Sequence, residues 1–300
     1  MGSGKYGSVE SKPNPHNPRG LWGVFPQGCP WANVNPYYIR VYECLGFILF
    51  LYFFVALFPC FHYLSSMQKI LTTQNDKIKK ALALGYLTYG IHFAHSDLSG
   101  FDVCPDASEG CKQSCLDFAG RGQQGNVKEA RIEKTKTFFA NIPAFMENLF
   151  SEIQKAINYC VKKSLTPVFR LNLTSDIKWE RIKHNGKTVF QQFPDVQFYD
   201  YTKSFSRLSH GIPNYNLTFS RSETALNHVH CALALNAGHN VAAVFSTKKG
   251  FDLPSEYKGR EVIDGDKHDL RFLDKKGVIV GLRAKGPARQ DESGFVLHVL

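Results

Sequence analysis

Short apolar runs rich in β-branched and aromatic residues alternate with amphipathic helical segments over much of this chain after position 140. The strand-like runs lie at residues 165–173, 195–201, 215–220, 240–245, 261–263 and 277–283. Apolar side chains recur at helical spacing over 143–163, which begins with a proline, and over 224–237, which Gly238 ends. This alternation predicts an α/β domain with a parallel sheet, either open or curled into part of a (β/α) barrel.

The first 66 residues differ in composition from this α/β region. Residues 1–44, rich in Gly, Pro, Asn and Ser, predict an irregular arm. Residues 45–64 carry no formal charge and are long enough to cross a bilayer as a helix. The lysines that follow this segment favour a membrane anchor with the C-terminal domain in the cytoplasm. The alternative that stays open is a mis-annotated upstream segment, with the protein starting at Met67.

The composition restricts the class of protein. With 300 residues, of which 43% are hydrophobic, the chain can bury a large core and is not disordered in bulk. Its eight cysteines are too few for a disulfide scaffold of this length, which favours reduced thiols in a cytosolic setting. A net charge of +10 suits an anionic substrate or nucleic acid, although scattered Lys and Arg also fit a solvated basic surface.

Three cysteines, Cys104, Cys111 and Cys115, lie within twelve residues after a strand-like run at 85–93. Such a triplet can ligate three irons of a [4Fe–4S] cluster and leave the fourth iron open to another ligand. It can equally supply three ligands of a tetrahedral zinc, with His92 or His95 as the fourth. A third interpretation has no metal, with buried thiols one helical turn apart. The residues alone leave these three alternatives open.

Polar and basic side chains follow the Cys triplet and the ends of the predicted strands. Arg121 and Gly122, in a Gly-rich turn, and Arg170 are predicted to contact an anionic cofactor. The carboxyl ends of parallel strands meet at one edge of a sheet, where α/β proteins bind their ligands. Residues at such ends are predicted to bind substrate: Asn172, Ser175, Asp176 and Arg221. The alternative role for these strand-end residues is to cap helices.

Two weaker groups of residues add further possibilities. A dense acidic and imidazole cluster in VIDGDKHDLRF can bind a divalent cation, transfer protons or form a turn; its members are Asp264, Asp266, His268 and Asp269. A nucleic-acid-binding protein would use basic residues spread along the chain: Lys134, Lys136, Lys203, Arg221, Lys285 and Arg289.

The chain from Met67 onward resembles an uncharacterised family of bacteriophage-encoded proteins. The blocks that carry this resemblance are CPDASEGCKQSCLDFAGRG, VKEARIEKTKTFF, RLNLTSDIKWE, VQFYDYTK, LTFSRSE, VIDGDKHDLRFLD and GLRAKGPARQDESGFV. The resemblance implies a viral or prophage origin, with action in the cytoplasm of a host cell, and implies no activity.

At the Cys triplet the chain is also weakly similar to radical S-adenosylmethionine proteins, which bind a [4Fe–4S] cluster and S-adenosylmethionine. The spacing here is Cys-x6-Cys-x3-Cys rather than their usual Cys-x3-Cys-x2-Cys, and no Gly-Gly-Glu element is present. The three thiolates, the strand before them and the α/β domain still suit a bound cluster. We therefore predict first an iron–sulfur, radical-type enzyme. The alternatives are a zinc-stabilised nucleic-acid-binding protein without catalysis and a structural or host-interaction protein.

Overall fold

The computed structural model describes residues 69–73, 80–118, 122 and 124–298, which belong to the unit Met67–Leu300. The predicted arm at 1–44 and the apolar segment at 45–64 lie outside the described residues. Within those described ranges, none of the helices combines the length and the apolar character that crossing a bilayer requires.

The described residues form nine strands, five α-helices and several short 3-10 turns. The strands are β1 Tyr86–Gly90, β2 Thr166–Arg170, β3 Gln197–Thr202, β4 Tyr215–Ser220, β5 Val241–Phe245, β6 Glu256–Tyr257, β7 Arg260–Asp264, β8 Ile279–Arg283 and β9 Val296–Leu297. The helices are α1 Glu109–Gln113, α2 Gly125–Ala140, α3 Ile142–Lys162, α4 Val189–Gln192 and α5 Ala225–Asn236.

The strands form one open, mostly parallel sheet in the order β1-β2-β3-β4-β5-β8-β7-β6, with β9 also pairing with β5. Every pairing is parallel except that of β6 with β7. The predicted α/β class is confirmed, and the open sheet is the alternative observed. Because β1 to β4 are neighbours in chain order and run the same way, their carboxyl ends share one edge of the sheet, called here the carboxyl edge.

Both predicted long helices are present, and their ends follow local chemistry. In α3, most of the apolar stripe that predicted the helix is buried, whereas Val161 at its end is exposed, and the first turn contains the proline. The Asn141 side chain caps α3 by accepting a hydrogen bond from the backbone N–H of Ala144 at 3.0 Å. Helix α5 begins after Thr224, which accepts from the N–H of Asn227 at 3.3 Å. It ends before Gly238, whose φ of 83° suits glycine.

An aromatic cluster fixes the segments that follow β1 and β2. Phe93, Phe138, Phe145 and Trp179 are buried, with ring centroids 5.1 to 6.3 Å apart. Phe93 follows β1, Trp179 follows β2, and the two phenylalanines come from α2 and α3. Burial of these rings holds the loops of the carboxyl edge against the helical layer.

Candidate functional site

The loop after β2 is folded around the side chain of Asn172. The Asn172 Oδ1 atom accepts hydrogen bonds from Ser175 Oγ at 2.8 Å, the Ile177 N–H at 3.0 Å and Trp179 Nε1 at 3.1 Å. Its amide nitrogen donates to the carbonyl of Ile177 at 3.0 Å. The side chains of Asn172 and Ser175, both predicted to contact substrate, are thus used to shape this loop.

Asp176 joins the loops that follow β2 and β3. One carboxylate oxygen accepts from Thr202 Oγ1 at 3.0 Å and from the Lys203 N–H at 2.8 Å, and the other pairs with the guanidinium of Arg207. Burial raises the pKa of Asp176, and the Arg207 charge and the two hydrogen bonds act against that increase. Asp176, which was predicted to bind substrate, is therefore buried, and its carboxylate joins two loops of the domain.

Arg207 is the centre of this connection, and sequence reasoning missed it. Its guanidinium donates to both oxygens of Glu180, at 2.8 and 2.9 Å, and to the hydroxyl of Tyr215 at 3.1 Å. The arginine side chain is 2% exposed. Its position soon after the end of β3 is the one local signal that could have marked it, since the prediction considered polar residues at strand ends.

A second buried carboxylate, Asp200, lies within β3. It accepts from the backbone N–H of Asn172 at 2.8 Å and from the Tyr215 hydroxyl at 3.0 Å. Burial raises the pKa of Asp200 to about 7, although the neighbouring Arg170 and Arg207 charges and these hydrogen bonds lower it. Strand β3 thus carries a titratable group directly beneath the loop of Asn172.

The residues after β4 tie the C-terminal segment to the carboxyl edge. Arg221 donates to the carbonyls of Gly294 and Phe295, at 2.9 and 2.8 Å, and lies 3.1 Å from His228 Nε2. Lys203 donates to Ser220 Oγ at 2.9 Å, and its ammonium lies 5.2 Å from the centre of the Phe295 ring. Lys203 therefore links the Asp176 loop, through its own N–H, to the loop of Arg221.

Residues 104–115, the Cys loop, are anchored to the end of β4 by Glu223. The Glu223 carboxylate accepts from Ser108 Oγ at 2.7 Å and from the Gly110 N–H at 2.9 Å. Burial opposes ionisation, but these two hydrogen bonds lower the pKa of Glu223 below its ordinary value. A Cβ at Gly110 would lie 2.2 Å from Ser293 Oγ and 2.9 Å from Phe295 Cβ. Helix α1 can approach the C-terminal segment this closely only because position 110 is glycine.

Two thiols of the Cys loop, those of Cys104 and Cys115, have raised pKa values. Burial raises the pKa of Cys104 to about 12, and the charges of Cys111 and Asp176 add to the increase. Burial likewise raises the pKa of Cys115 to about 12, with Cys111 and Cys104 adding to it and Lys203 opposing it. The pKa values of these two thiols therefore depend on charged residues that follow β2 and β3, Asp176 and Lys203.

Cys104 has two contacts that define its position. Its Sγ donates to the carbonyl of Thr174 at 3.8 Å, and the backbone N–H of Ser96 donates to the sulfur. Ser96 is buried in a left-handed conformation, with φ of 49°, and its carbonyl accepts from the Val103 N–H at 3.0 Å. This backbone geometry is unusual for a serine.

The donor types of the Cys loop suit a soft metal, but the described side chains are not arranged as a closed metal site. Among the described residues, no group of three or more His, Cys, Asp or Glu side chains could hold a metal ion. The two histidines considered as zinc ligands, His92 and His95, have different environments. His95 packs edge-on against Phe118 at 4.3 Å, and burial lowers the pKa of His92 to about 3. Iron, zinc and the absence of metal stay predictions.

The predicted cofactor contacts are only partly described. Arg121 lies outside the described residues, and Gly122 is buried. Arg170 pairs with Asp269 at 2.7 Å, and its guanidinium lies 4.5 Å from the centre of the Tyr201 ring. Its Nε atom is buried without a hydrogen-bond partner. Among these residues, Arg170 is the one with a described buried donor that has no hydrogen-bond partner within the protein.

The acidic cluster at 264–269 is neutralised by basic residues of the same chain. Asp264 binds Arg283 through both oxygens at 3.0 Å, and Asp266 accepts from Lys285 at 2.8 Å. Asp269 pairs with Arg170, so these carboxylates connect β7 to β8 and β2. A divalent cation would have to displace these internal cations.

The basic residues predicted for nucleic-acid binding are not all available at the surface. Lys134 donates to the Ile70 carbonyl at 3.0 Å, and burial lowers its pKa to about 8. Lys203, Arg221 and Lys285 have the internal partners given above, whereas Lys136 and Arg289 are exposed.

Comparison with known proteins gives one family. A family model described as gene product 88 matches residues 67–298. That range covers the α/β domain and leaves out the first 66 residues. No curated protein and no solved structure matches the chain.

Proposed function

The chain belongs to the gene product 88 family, and we propose that its domain is an enzyme that holds an iron–sulfur cluster through Cys104, Cys111 and Cys115. The observation that carries this proposal is the anchoring of a three-cysteine loop at the carboxyl edge of a parallel sheet, through Cys104 to the Thr174 carbonyl and through Ser108 and Gly110 to Glu223. Ligands of α/β proteins bind at that edge.

A [4Fe–4S] cluster held by three thiolates supplies electron transfer and one iron open to a further ligand. Two residues of the chain favour the ionised form of the thiols that would bind the cluster. The Ser96 N–H favours the ionised sulfur of Cys104, and the Lys203 ammonium favours that of Cys115. Because burial holds both thiols protonated, ligation releases protons and the metal provides the free energy for that release.

An anionic ligand is the proposed partner of this cluster. Arg170 contributes a buried guanidinium with a free Nε donor, and Arg121 and Gly122 are proposed to contact the same ligand. The finer proposal is S-adenosylmethionine, whose carboxylate is the group that such donors bind. The proposed setting is the cytoplasm of a host cell.

The test is purification of the full chain under anaerobic conditions, followed by iron and sulfide analysis. We expect iron, sulfide and broad absorption near ~400 nm. The triple variant Cys104→Ala, Cys111→Ala, Cys115→Ala should lack all three while keeping the wild-type circular dichroism spectrum. Cys231→Ala is the matched control, because this cysteine lies on α5 outside the Cys loop, and it should keep the cluster. Stoichiometric zinc without iron, or no metal at all, would contradict the proposal.

The second candidate is a zinc-stabilised nucleic-acid-binding protein. The net charge of +10 and the exposed side chains of Lys136 and Arg289 favour it. This candidate predicts zinc in place of iron and DNA or RNA binding that weakens steeply with salt. Lys136→Ala and Arg289→Ala should each reduce the salt slope by about one phosphate contact.

A further inference from the structure

Two buried side-chain nitrogens at neighbouring strand ends have no hydrogen-bond partner among the described residues. They are Arg170 Nε, at the end of β2, and His92 Nδ1, two residues after the end of β1. Arg170 as a whole is only 9% exposed. A buried polar atom without a partner costs free energy, so most such atoms in native proteins bind another group. The two nitrogens therefore mark a place where a polar ligand can bind.

The side chains of His92 and Arg170 lie on the same face of the sheet. The two neighbours of His92 in sequence belong to the hydrophobic core that includes α3: Ile91 and Phe93. The two neighbours of Arg170 belong to the same core: Phe169 and Leu171. Since successive side chains of an extended strand point to opposite faces, His92 and Arg170 both point away from that core.

The register of the two strands brings these side chains within reach of one ligand. Gly90 is the parallel partner of Arg170, and His92 is the next residue along the chain on the same face. The pairing continues beyond Gly90, since the Ile91 N–H donates to the Arg170 carbonyl at 3.2 Å and the Ile91 carbonyl accepts from the Leu173 N–H at 3.1 Å. From the strand spacing and the rise per residue, the Cα atoms of His92 and Arg170 are about 8 Å apart. Long side chains reach a common ligand across such a diagonal.

The guanidinium of Arg170 is fixed in a way that leaves Nε over. Its Nη1 atom pairs with Asp269 Oδ2 at 2.7 Å, and its centre lies 4.5 Å from the centre of the Tyr201 ring. The Tyr201 hydroxyl in turn donates to Asp269 Oδ1 at 3.3 Å. The arginine is thus held in place before a ligand binds, which lowers the entropy lost on binding.

The charges around His92 favour an anionic ligand. Besides burial, three cationic side chains lower the pKa of His92 to about 3: Arg131, Lys134 and Arg170. The imidazole is therefore neutral near pH 7, and a proton on Nδ1 can be donated without adding a charge. Helix α2, which carries two of these cations, is held beside this segment by a hydrogen bond from the Ala94 N–H to Thr135 Oγ1 at 3.0 Å. A positive potential of this kind attracts an anion and repels a metal ion.

A small oxyanion satisfies both nitrogens. Guanidinium N–H groups form strong hydrogen bonds to carboxylates and phosphates, and the partly exposed His92 ring allows access from the surface. We propose that Arg170 Nε and His92 Nδ1 together bind one oxyanion group, the carboxylate or phosphate of a small ligand, at the carboxyl edge between β1 and β2. This inference rests on the proposed function for the anionic ligand of Arg170, and it adds His92 as a ligand-binding residue. It does not require the cluster.

The experiment is isothermal titration calorimetry of the full chain with inorganic phosphate and, separately, with S-adenosylmethionine, which carries a carboxylate. We expect saturable binding of at least one probe, and the probe that binds identifies the oxyanion. Arg170→Lys keeps a positive charge for Asp269 but replaces the Nε–H by a methylene, and His92→Leu removes the imidazole donor. Each should weaken binding roughly 10-fold or more, because each removes a hydrogen bond to a charged group.

Two further variants separate loss of a donor from loss of packing. His92→Asn should recover part of the affinity that His92→Leu loses, because the asparagine amide places a donor close to the position of Nδ1. His239→Leu is the matched control. His239 is also partly buried, but it lies just before β5, at the opposite edge of the sheet. This variant should bind like the wild type.

Two results would overturn the inference. One is a wild type that binds neither probe. The other is wild-type affinity in both His92→Leu and Arg170→Lys, which would place any bound anion elsewhere on the basic surface. Iron is measured on the same wild-type protein, so the two proposals fail separately. Iron without anion binding at these residues would leave the cluster and refute the oxyanion site, whereas anion binding without iron would do the reverse.

Discussion

Replacing Arg207 by methionine tests whether the loops of the carboxyl edge depend on one buried guanidinium. The Arg207 side chain is 2% exposed, and those of Asp176 and Glu180 are 11% and 12% exposed. Methionine keeps much of the side-chain volume but leaves both carboxylates without their cation. Removing one partner of a buried pair costs roughly 3–5 kcal/mol. In a domain of this size, we expect the melting temperature to fall by about 6–20 °C.

The measurement is urea unfolding at neutral pH followed by far-ultraviolet circular dichroism, together with a thermal melt. Arg181 is exposed, and Arg181→Met as the control should change the free energy of unfolding by at most ~0.5 kcal/mol. Adding Asp176→Asn to Arg207→Met should recover part of the loss, because one uncompensated charge is removed. An Arg207→Met protein that melts within about 2 °C of the wild type would refute the reasoning.

Three other perturbations address a buried carboxylate, the anchor of the Cys loop and its tightest glycine contact. Burial raises the pKa of Asp200 to about 7 in the folded domain, whereas an aspartate in the unfolded chain has a pKa of ~3.9. The free energy of unfolding should therefore fall as pH rises from ~3.9 through 7, because the unfolded chain releases a proton that the folded domain still holds. Asp200→Asn should flatten this decline in urea unfolding measured from pH 4 to 8. Glu223→Gln should speed amide hydrogen exchange in α1 by up to ~10-fold, because it loses a charged acceptor worth roughly 1.5–3 kcal/mol in a buried setting and less at this half-buried one. The exposed control Glu256→Gln should leave the exchange unchanged. Gly110→Ala should make the C-terminal segment sensitive to protease, and adding Ser293→Gly should restore part of the resistance by removing the closest contact.

The strands were predictable where their pattern is local. The run at 215–220 coincides with β4, and the run at 240–245 with β5 to within one residue. The two-residue strands β6 and β9 were not foreseen, because a pair of residues shows no periodicity. They are strands only because β7 and β5 provide backbone partners at those positions.

The candidate site shows the same division between local and tertiary information. Asn172, Ser175 and Asp176 share one loop because they lie within five residues of each other after β2. Their partners could not be predicted in that way. Asp176 pairs with Arg207, 31 residues later, and Glu223 binds Ser108, 115 residues earlier. Such pairs follow from the order of the strands in the sheet and leave no signal in the spacing of residues.

The anchoring of the Cys loop follows from this strand order. Cys104 contacts the carbonyl of Thr174 after β2, and Glu223 after β4 holds α1. These strand ends lie side by side only when β1 to β4 are all paired, so the loop adopts its position in the folded domain and not in the separate segment. A ligand that binds the loop in that position therefore stabilises the whole sheet by mass action. Binding and folding are thus coupled at this edge, and a metal that raises the melting temperature of the wild type but not of Glu223→Gln would act through the anchored loop.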